Sequence, residues 1–331
     1  MNEIFVAAHH YQDESIIREA DLVADSYRLA VEAAQSDARF IIVCGVRFMA
    51  ESVATLARPD QTVIHPVADA GCPMADMITR EQAERAMERI AAATGKEAAP
   101  LTYMNSSNAI KALTGARCGS ICTSGNAHKI MKSFLNGERS IFFMPDRNLG
   151  MNTARELGVP ASETCIITAA DLDSARQLPP ARVYLWDGFC PVHRIFSPAD
   201  IEAARNEYPG ITVTVHPECD PEVVVAADSS ASTEGMFREI DESSWGSVWG
   251  IGTEMHFVER MKKRYSNKKI IALHRSCCHD MVKIRSEHLD RIQAEIRANP
   301  DGPIQGTIHI DDEERDNARA ALLRMVELTN A

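Results

Sequence analysis

The sequence predicts an α/β fold of three similar three-layer α/β/α domains with short parallel sheets, set in a pseudo-threefold arrangement around a central site. Three observations carry this expectation. Short apolar runs alternate with helical patterns, each run stops in a polar cluster, and the alternation restarts twice along the chain. Runs that are apolar throughout mark strands buried on both faces, as in parallel sheets covered by helices.

The first round opens with Ile4-Phe5-Val6-Ala7-Ala8, stopped by His9-His10-Tyr11-Gln12. Two short helices follow, the second capped by Asp25-Ser26. Phe40-Ile41-Ile42-Val43-Cys44 then meets Gly45, a helix covers Phe48 to Leu56, and Thr62-Val63-Ile64 leads through Ala70-Gly71 to Cys72. The second round has Pro100 to Met104 ending at Asn105-Ser106-Ser107, and Ser120-Ile121-Cys122 ending at Thr123-Ser124-Gly125-Asn126. Ser140 to Met144 is stopped by Pro145-Asp146, and Arg182 to Trp186 runs to Gly188-Phe189-Cys190. In the third round, Ile211 to Val215 ends at His216-Pro217-Glu218-Cys219, and Ser247 to Ile251 at Gly252-Thr253-Glu254. Lys269 to Leu273 leads to Cys277-Cys278. The tail reads as a short strand from about Ile304 and a helix over Glu313 to Leu328. This is a divergent internal repeat with a cysteine after the last strand of each round.

Ligands of open parallel sheets sit beyond the carboxyl ends of the strands, where all these polar clusters fall. Three sheets facing one point would pool them in one cavity, although the periodicity alone is equally met by three independent lobes.

Bulk properties narrow the class. With 331 residues the chain exceeds one small core. Lys and Arg total 35 against 47 Asp and Glu, a formal net charge of −12 without a basic run, which argues against a nucleic-acid or anionic-membrane surface. A small anionic substrate remains compatible, since a few placed donors can hold one. Met1-Asn2-Glu3 lacks a basic n-region, and the expected location is cytoplasmic. Nine scattered cysteines point to metal, catalytic or buried thiols rather than a disulfide scaffold.

Gly71-Cys72-Pro73 and Gly188-Phe189-Cys190-Pro191 share a glycine-bearing approach and a following proline suited to a first helical turn. A single cysteine there would ordinarily be a buried small apolar residue. Three at repeated positions favour ligation. Cys118 and Cys122, without a second pair, do not make a zinc site.

The blocks His9-His10-Tyr11-Gln12, Gly45-Val46-Arg47-Phe48-Met49-Ala50-Glu51, Ala70 to Met77, Tyr103-Met104-Asn105, Cys122 to Ala127, Phe143-Met144-Pro145-Asp146 and His216-Pro217-Glu218-Cys219 resemble, in order, those of the quinolinate synthase family. The resemblance runs from the first strand to the C-terminal helix. It implies an enzyme of NAD biosynthesis, a transferase that condenses iminoaspartate with dihydroxyacetone phosphate to quinolinate, losing phosphate and two waters. It further implies one 4Fe–4S cluster held by Cys72, Cys190 and Cys278, whose open iron serves as a Lewis acid. Cys278 is preferred to Cys277 because Met281 completes the family's Cys-x-x-Met pattern. Cys44, Cys118, Cys122, Cys165, Cys219 and Cys277 are then packing or incidental thiols.

The same resemblance places Tyr11, His216, Glu218 and Tyr103 as catalytic residues, the first three as proton carriers. His9, Ser26, Asn105, Ser124, Ser232 and Thr233 would bind substrate. The ordinary alternative is a polar strand edge for the His and Tyr, and helix capping for the hydroxyls. Ala231 stands where the family usually has glycine, and the loop from Cys118 to Cys122 is longer than in compact relatives.

Expected domain limits are 1–95, 96–185 and 186–331, with the C-terminal strand and helix free to pack on another domain. Partners would be the two small substrates and, transiently, the enzyme that makes iminoaspartate, with no nucleic acid or membrane. Rival readings are a three-cysteine iron–sulfur enzyme of the diphthamide-synthesis type, a non-catalytic iron–sulfur sensor, and a plain α/β protein with incidental thiols.

Overall fold

A computed structural model of the chain describes residues 3–331. Met1 and Asn2, which entered the reading of the missing basic n-region, lie outside the described residues.

Three parallel sheets form. The first contains β1 (Ile4–His9), β2 (Leu22–Ala24), β3 (Phe40–Cys44) and β4 (Thr62–Ile64) in the order β2-β1-β3-β4. Its connections carry α1 (Glu14–Ile17), α2 (Ser26–Ala34) and α3 (Arg47–Leu56), and α4 (Arg80–Thr94) leads out. The second contains β5 (Ala99–Tyr103), β6 (Ser120–Cys122), β7 (Ile141–Met144), β8 (Thr164–Ile167) and β9 (Val183–Trp186) in the order β6-β5-β7-β9-β8. Here the helices are α5 (Asn108–Ala116), α6 (Ala127–Leu135), α7 (Arg147–Glu156) and α8 (Ala169–Asp173). The third sheet is introduced by α9 (Pro198–Glu207). It contains β10 (Thr212–Val215), β11 (Ser229–Ser230), β12 (Val248–Gly252) and β13 (Lys269–Ala272), ordered β11-β10-β12-β13. Between these strands run α10 (Pro221–Ala226), α11 (Thr233–Glu242) and α12 (Met255–Arg264), and the chain closes with α13 (Ser286–Ala298) and α14 (Asp312–Asn330).

The first and third sheets repeat each other in detail. Val6 N–H donates to the Asp21 carboxylate at 2.8 Å, and Val213 N–H to that of Asp228 at 2.8 Å, both 15 residues apart. The carbonyls of Val6 and Val213 accept in return from Asp21 N and Asp228 N. Each aspartate thus fastens a short edge strand, β2 or β11, of three and two residues. Because every strand has helices over it, the central strands β1, β3, β5, β7, β9 and β10 are almost wholly buried.

The C-terminal segment differs from expectation. The strand near Ile304 is reduced to one antiparallel bridge, Ile64 with Thr307. Gly306, at φ 86°, turns the backbone out of extended geometry there. Leu289, Ile292 and Ile296 of α13 pack on Ile4, Val6 and Phe40 of the first sheet. Helix α14 lies on α5 so closely that a Cβ at Gly115 would stand 1.8 Å from the Asn317 carbonyl oxygen. Among the described residues, no helix is long and apolar enough to cross a membrane.

Candidate active site and metal centre

The carboxyl ends of the three sheets face one cavity. At the end of the first strand of each sheet, two polar side chains two residues apart line it: His9 and Tyr11 after β1, Tyr103 and Asn105 after β5, His216 and Glu218 after β10. Ser26, Ser124 and Thr233 join them, as do Cys72, Cys190 and Cys278. Val46, Phe48, Met49, Met74 and Met104 form an apolar wall that limits water at the thiols. Of the residues named from the sequence, only Ser232 lies off this cavity. Its hydroxyl accepts from Gly235 N at 3.2 Å and caps α11, facing a neighbouring cleft. Ala231 needs no positive φ, so the absent glycine leaves the turn intact. Ser26 is free of capping duty because Asp25 takes it, accepting from Arg28 N at 3.0 Å.

The loops bearing the cysteines are tied in a ring. Trp186 Nε1, from the second sheet, donates to Met77 O beyond Cys72 at 2.8 Å. Ser276 Oγ donates to Val192 O beyond Cys190 at 2.6 Å, and Gln12 Nε2 to Met281 O beyond Cys278 at 3.3 Å. Asn148 and Asn152 of α7 donate to carbonyls of the 217–219 loop, holding Glu218 from the neighbouring unit.

Two tautomers follow from backbone donors. Tyr11 N–H donates to His9 Nδ1 at 3.2 Å and Glu218 N–H to His216 Nδ1 at 3.3 Å. Each ring therefore carries its proton on Nε2. Burial holds His9 well below the usual histidine range, reinforced by His10 and Arg260, and takes His216 down to about 3 with His193 adding to it. Both are neutral donors near pH 7. Burial alone would push the Glu218 carboxyl up, but the neighbouring His216 ring and the hydrogen bonds from His193 and the Tyr103 phenol hold the group low, as a carboxylate. Its Oε1 is buried without a hydrogen-bond partner, and so is Asn105 Oδ1. Burial and then the Glu218 charge keep the phenols of Tyr11 and Tyr103 protonated, well above the usual tyrosine range.

The three thiols fit an iron–sulfur cluster on their donor chemistry. Backbone N–H groups of Met74 and Ala75 point at the Cys72 sulfur, that of His193 at Cys190, and those of Asp280 and Met281 at Cys278. Such donors favour thiolates. Burial nonetheless pushes the free thiols up, Cys72 to about 12 and Cys278 to about 11, so three thiolates on one buried cavity call for a cationic partner. No fourth cysteine lines the cavity among the described residues. Cys277 points instead into an outer cavity, where Glu254, His256 and Cys277 gather with potential ligand atoms within 4.8 Å of one another. Glu254 is satisfied there by His256 N at 2.7 Å, His256 Nδ1 at 2.8 Å and Cys278 N at 3.4 Å. It serves as a brace for the cysteine loop.

Two residues at the site escaped the sequence reading. His193 stacks on His216, with ring centres 4.2 Å apart, and its Nδ1 meets Glu218 Oε2 at 2.5 Å. The available signal was its place one helical turn beyond Cys190. Thr253, in the strand-end cluster after β12, bonds both His193 Nε2 and the Tyr11 hydroxyl at 2.9 Å.

Comparison with known proteins gives one consistent answer. The family model described as quinolinate synthetase A protein matches residues 1–327. A quinolinate synthase of Acidobacterium capsulatum is 40% identical over 329 residues, covering 97% of this chain and 87% of that protein. Those of Streptomyces coelicolor and Haloarcula marismortui are 39% and 37% identical, each covering 99% of this chain, with 85% and 88% of the relatives spanned.

Proposed function

The chain belongs to the quinolinate synthetase A family, and from that premise we propose that it condenses iminoaspartate with dihydroxyacetone phosphate to quinolinate, releasing phosphate and two waters, for NAD biosynthesis. The observation that carries the reading is the convergence of three thiols and three pairs of polar strand-end side chains on one cavity. Three domains, close to 1–95, 96–185 and 186–331, would each supply one pair, with Cys72 from the first, Cys190 just past the last strand of the second and Cys278 from the third. The tail, from the 307 bridge through α14, would belong with the first two.

Cys72, Cys190 and Cys278 would hold a 4Fe–4S cluster. With three thiolates in place of the usual four, the cluster supplies an iron open to substrate oxygen, a Lewis acid that needs no change of oxidation state. The protein's own groups do the rest. Ser26, Ser124 and Thr233 stand at or near the starts of α2, α6 and α11, where hydroxyls and free backbone N–H groups suit carboxylate and phosphate oxygens. His9 and His216 offer Nε2–H to oxyanions, and Asn105 and Tyr103 orient the bound pair. Glu218, ionised with one free oxygen, takes protons in enolisation and dehydration. The apolar wall keeps bulk water from the imine, which hydrolyses readily in solution.

The test is anaerobic. Protein with a reconstituted cluster receives freshly generated iminoaspartate and dihydroxyacetone phosphate, and quinolinate is quantified. Turnover that depends on the cluster supports the reading, and no quinolinate from fully loaded protein refutes it.

A further inference from the structure

A second set of ligand-type side chains stands outside the central cavity, one residue from the last cluster thiol. Glu254, His256 and Cys277 each offer one ligand atom, and these atoms all lie within 4.8 Å of one another. His256 and Cys277 line an outer cavity of about 700 Å³, which Cys278 also borders. Both are half-buried, whereas Glu254 behind them is fully buried. A carboxylate, an imidazole and a thiol thus meet where solvent can deliver an ion.

The bonding of Glu254 leaves room for that ion. Two backbone donors fix the carboxylate, His256 N on Oε2 at 2.7 Å and Cys278 N on Oε1 at 3.4 Å. The remaining neighbours are side chains: His256 Nδ1 lies 2.8 Å from Oε1, and the Cys277 thiol lies beside the carboxylate. A cation can take the place of their hydrogens. The imidazole moves its hydrogen to Nε2, and the thiol releases its proton to solvent. One carboxylate, one thiolate and one neutral imidazole then surround a dication with no net charge, which suits a partly buried place. With metal–ligand bonds of ~2.0–2.3 Å, the corners of a tetrahedral site stand ~3.3–3.7 Å apart. Side-chain shifts of about 1 Å therefore close the set around an ion. A mixed sulfur, nitrogen and oxygen set disfavours Mg²⁺ and Ca²⁺, which take oxygen ligands in larger number.

We propose that Glu254, His256 and Cys277 form a second metal site, for one borderline-soft divalent cation such as Zn²⁺ or Fe²⁺, separate from the cluster thiols. Three protein ligands leave a fourth position for water from the outer cavity. The ion has a structural use. Cys277 precedes Cys278 in the chain, and Glu254 already holds the Cys278 N–H. A metal bond from Cys277 to Glu254 ties the loop of the third cluster thiol to the start of α12 a second time. The site adds no ligand to the cluster, and it stands independently of the reaction proposed above.

The experiment uses cluster-loaded protein without oxygen, dialysed against Zn²⁺ in a weakly chelating buffer, with zinc and iron counted together. The parent should retain one zinc per chain with its iron unchanged. Zinc should also protect Cys277 from alkylation by iodoacetamide, as read from peptide masses, and raise the midpoint of thermal unfolding. His256→Ala and Cys277→Ala should keep their iron but bind zinc at least about 100-fold more weakly, and zinc should not shift their unfolding. Cys118→Ala, which removes an exposed thiol elsewhere, should bind zinc as the parent does. Excess Mg²⁺ should not displace the zinc. A parent that retains no zinc, or zinc held equally well by His256→Ala and Cys277→Ala, overturns the site. Zinc uptake matched by loss of iron also overturns it, because the ion would then occupy the cluster thiols.

Discussion

The carboxylate of Glu254, at the start of α12, accepts the backbone N–H of Cys278 at 3.4 Å while it binds His256 through both of its oxygens. Asp146 stands at the equivalent place in the second unit. It caps α7 by accepting from Leu149 N at 2.6 Å, and its side chain lies close to the backbone N–H of Cys190. Two acidic strand-end residues therefore stand behind two of the three thiols. The first unit has Val46 at that position, with no side-chain cap.

This arrangement predicts cluster retention. Glu254→Gln turns an NH₂ toward donors that need an acceptor, and Asp146→Asn does the same beside Cys190. Each variant should lose the cluster to a chelator about tenfold faster than the parent, as read from its visible absorption. Equal half-lives would show that the thiols need no such support.

The glycines before the cysteines, alike in sequence, should respond differently. A Cβ at Gly188 would stand 2.4 Å from the Pro145 carbonyl oxygen, which is backbone and cannot swing aside. At Gly71 the nearest atom is Asp76 Oδ2 at 3.9 Å. Gly188→Ala should therefore lose cluster binding or soluble expression, while Gly71→Ala reconstitutes normally.

Lys111 gives a pH signature of stability. It is buried in α5, and its Nζ donates to Ser52 Oγ at 2.7 Å and Phe48 O at 3.2 Å in α3, with no carboxylate bonded to it. Burial takes its ammonium down to about 8. An unfolded lysine titrates near ~10.4, so between these values the unfolded chain holds a proton that the folded chain has released. The contribution of Lys111 to stability is lowest below about pH 8 and rises with pH through that window. Lys111→Met should accordingly be more stable than the parent near pH ~7, by on the order of 2 kcal/mol, with the difference shrinking toward pH ~10. Anaerobic thermal unfolding at several pH values measures this. A variant less stable at every pH would contradict it.

Much of the architecture was legible because buried parallel strands announce themselves as apolar runs. Val6 and Val213 with their neighbours were found this way, whereas β2 and β11 were not. Those edge strands are held by Asp21 and Asp228, whose bonding to residues 15 positions away has no local signature. The candidate site was legible where its residues follow strands in sequence, as with His9, Tyr11 and Cys72. Thr253 and His193 gain their meaning only from the meeting of the units. Ser232 shows the converse, a hydroxyl whose place before a helix reflects capping of Gly235 N.

The central claim is that the thiols of Cys72, Cys190 and Cys278, converging from three units, hold the cluster on which quinolinate formation depends. The most direct measurement is cluster absorption and quinolinate yield, taken side by side and without oxygen, in Cys72→Ala, Cys190→Ala, Cys278→Ala and Cys277→Ala. The first three should lose both signals, and Cys277→Ala, whose thiol faces the outer cavity beside Glu254, should keep both. Loss in Cys277→Ala together with retention in Cys278→Ala would contradict the account.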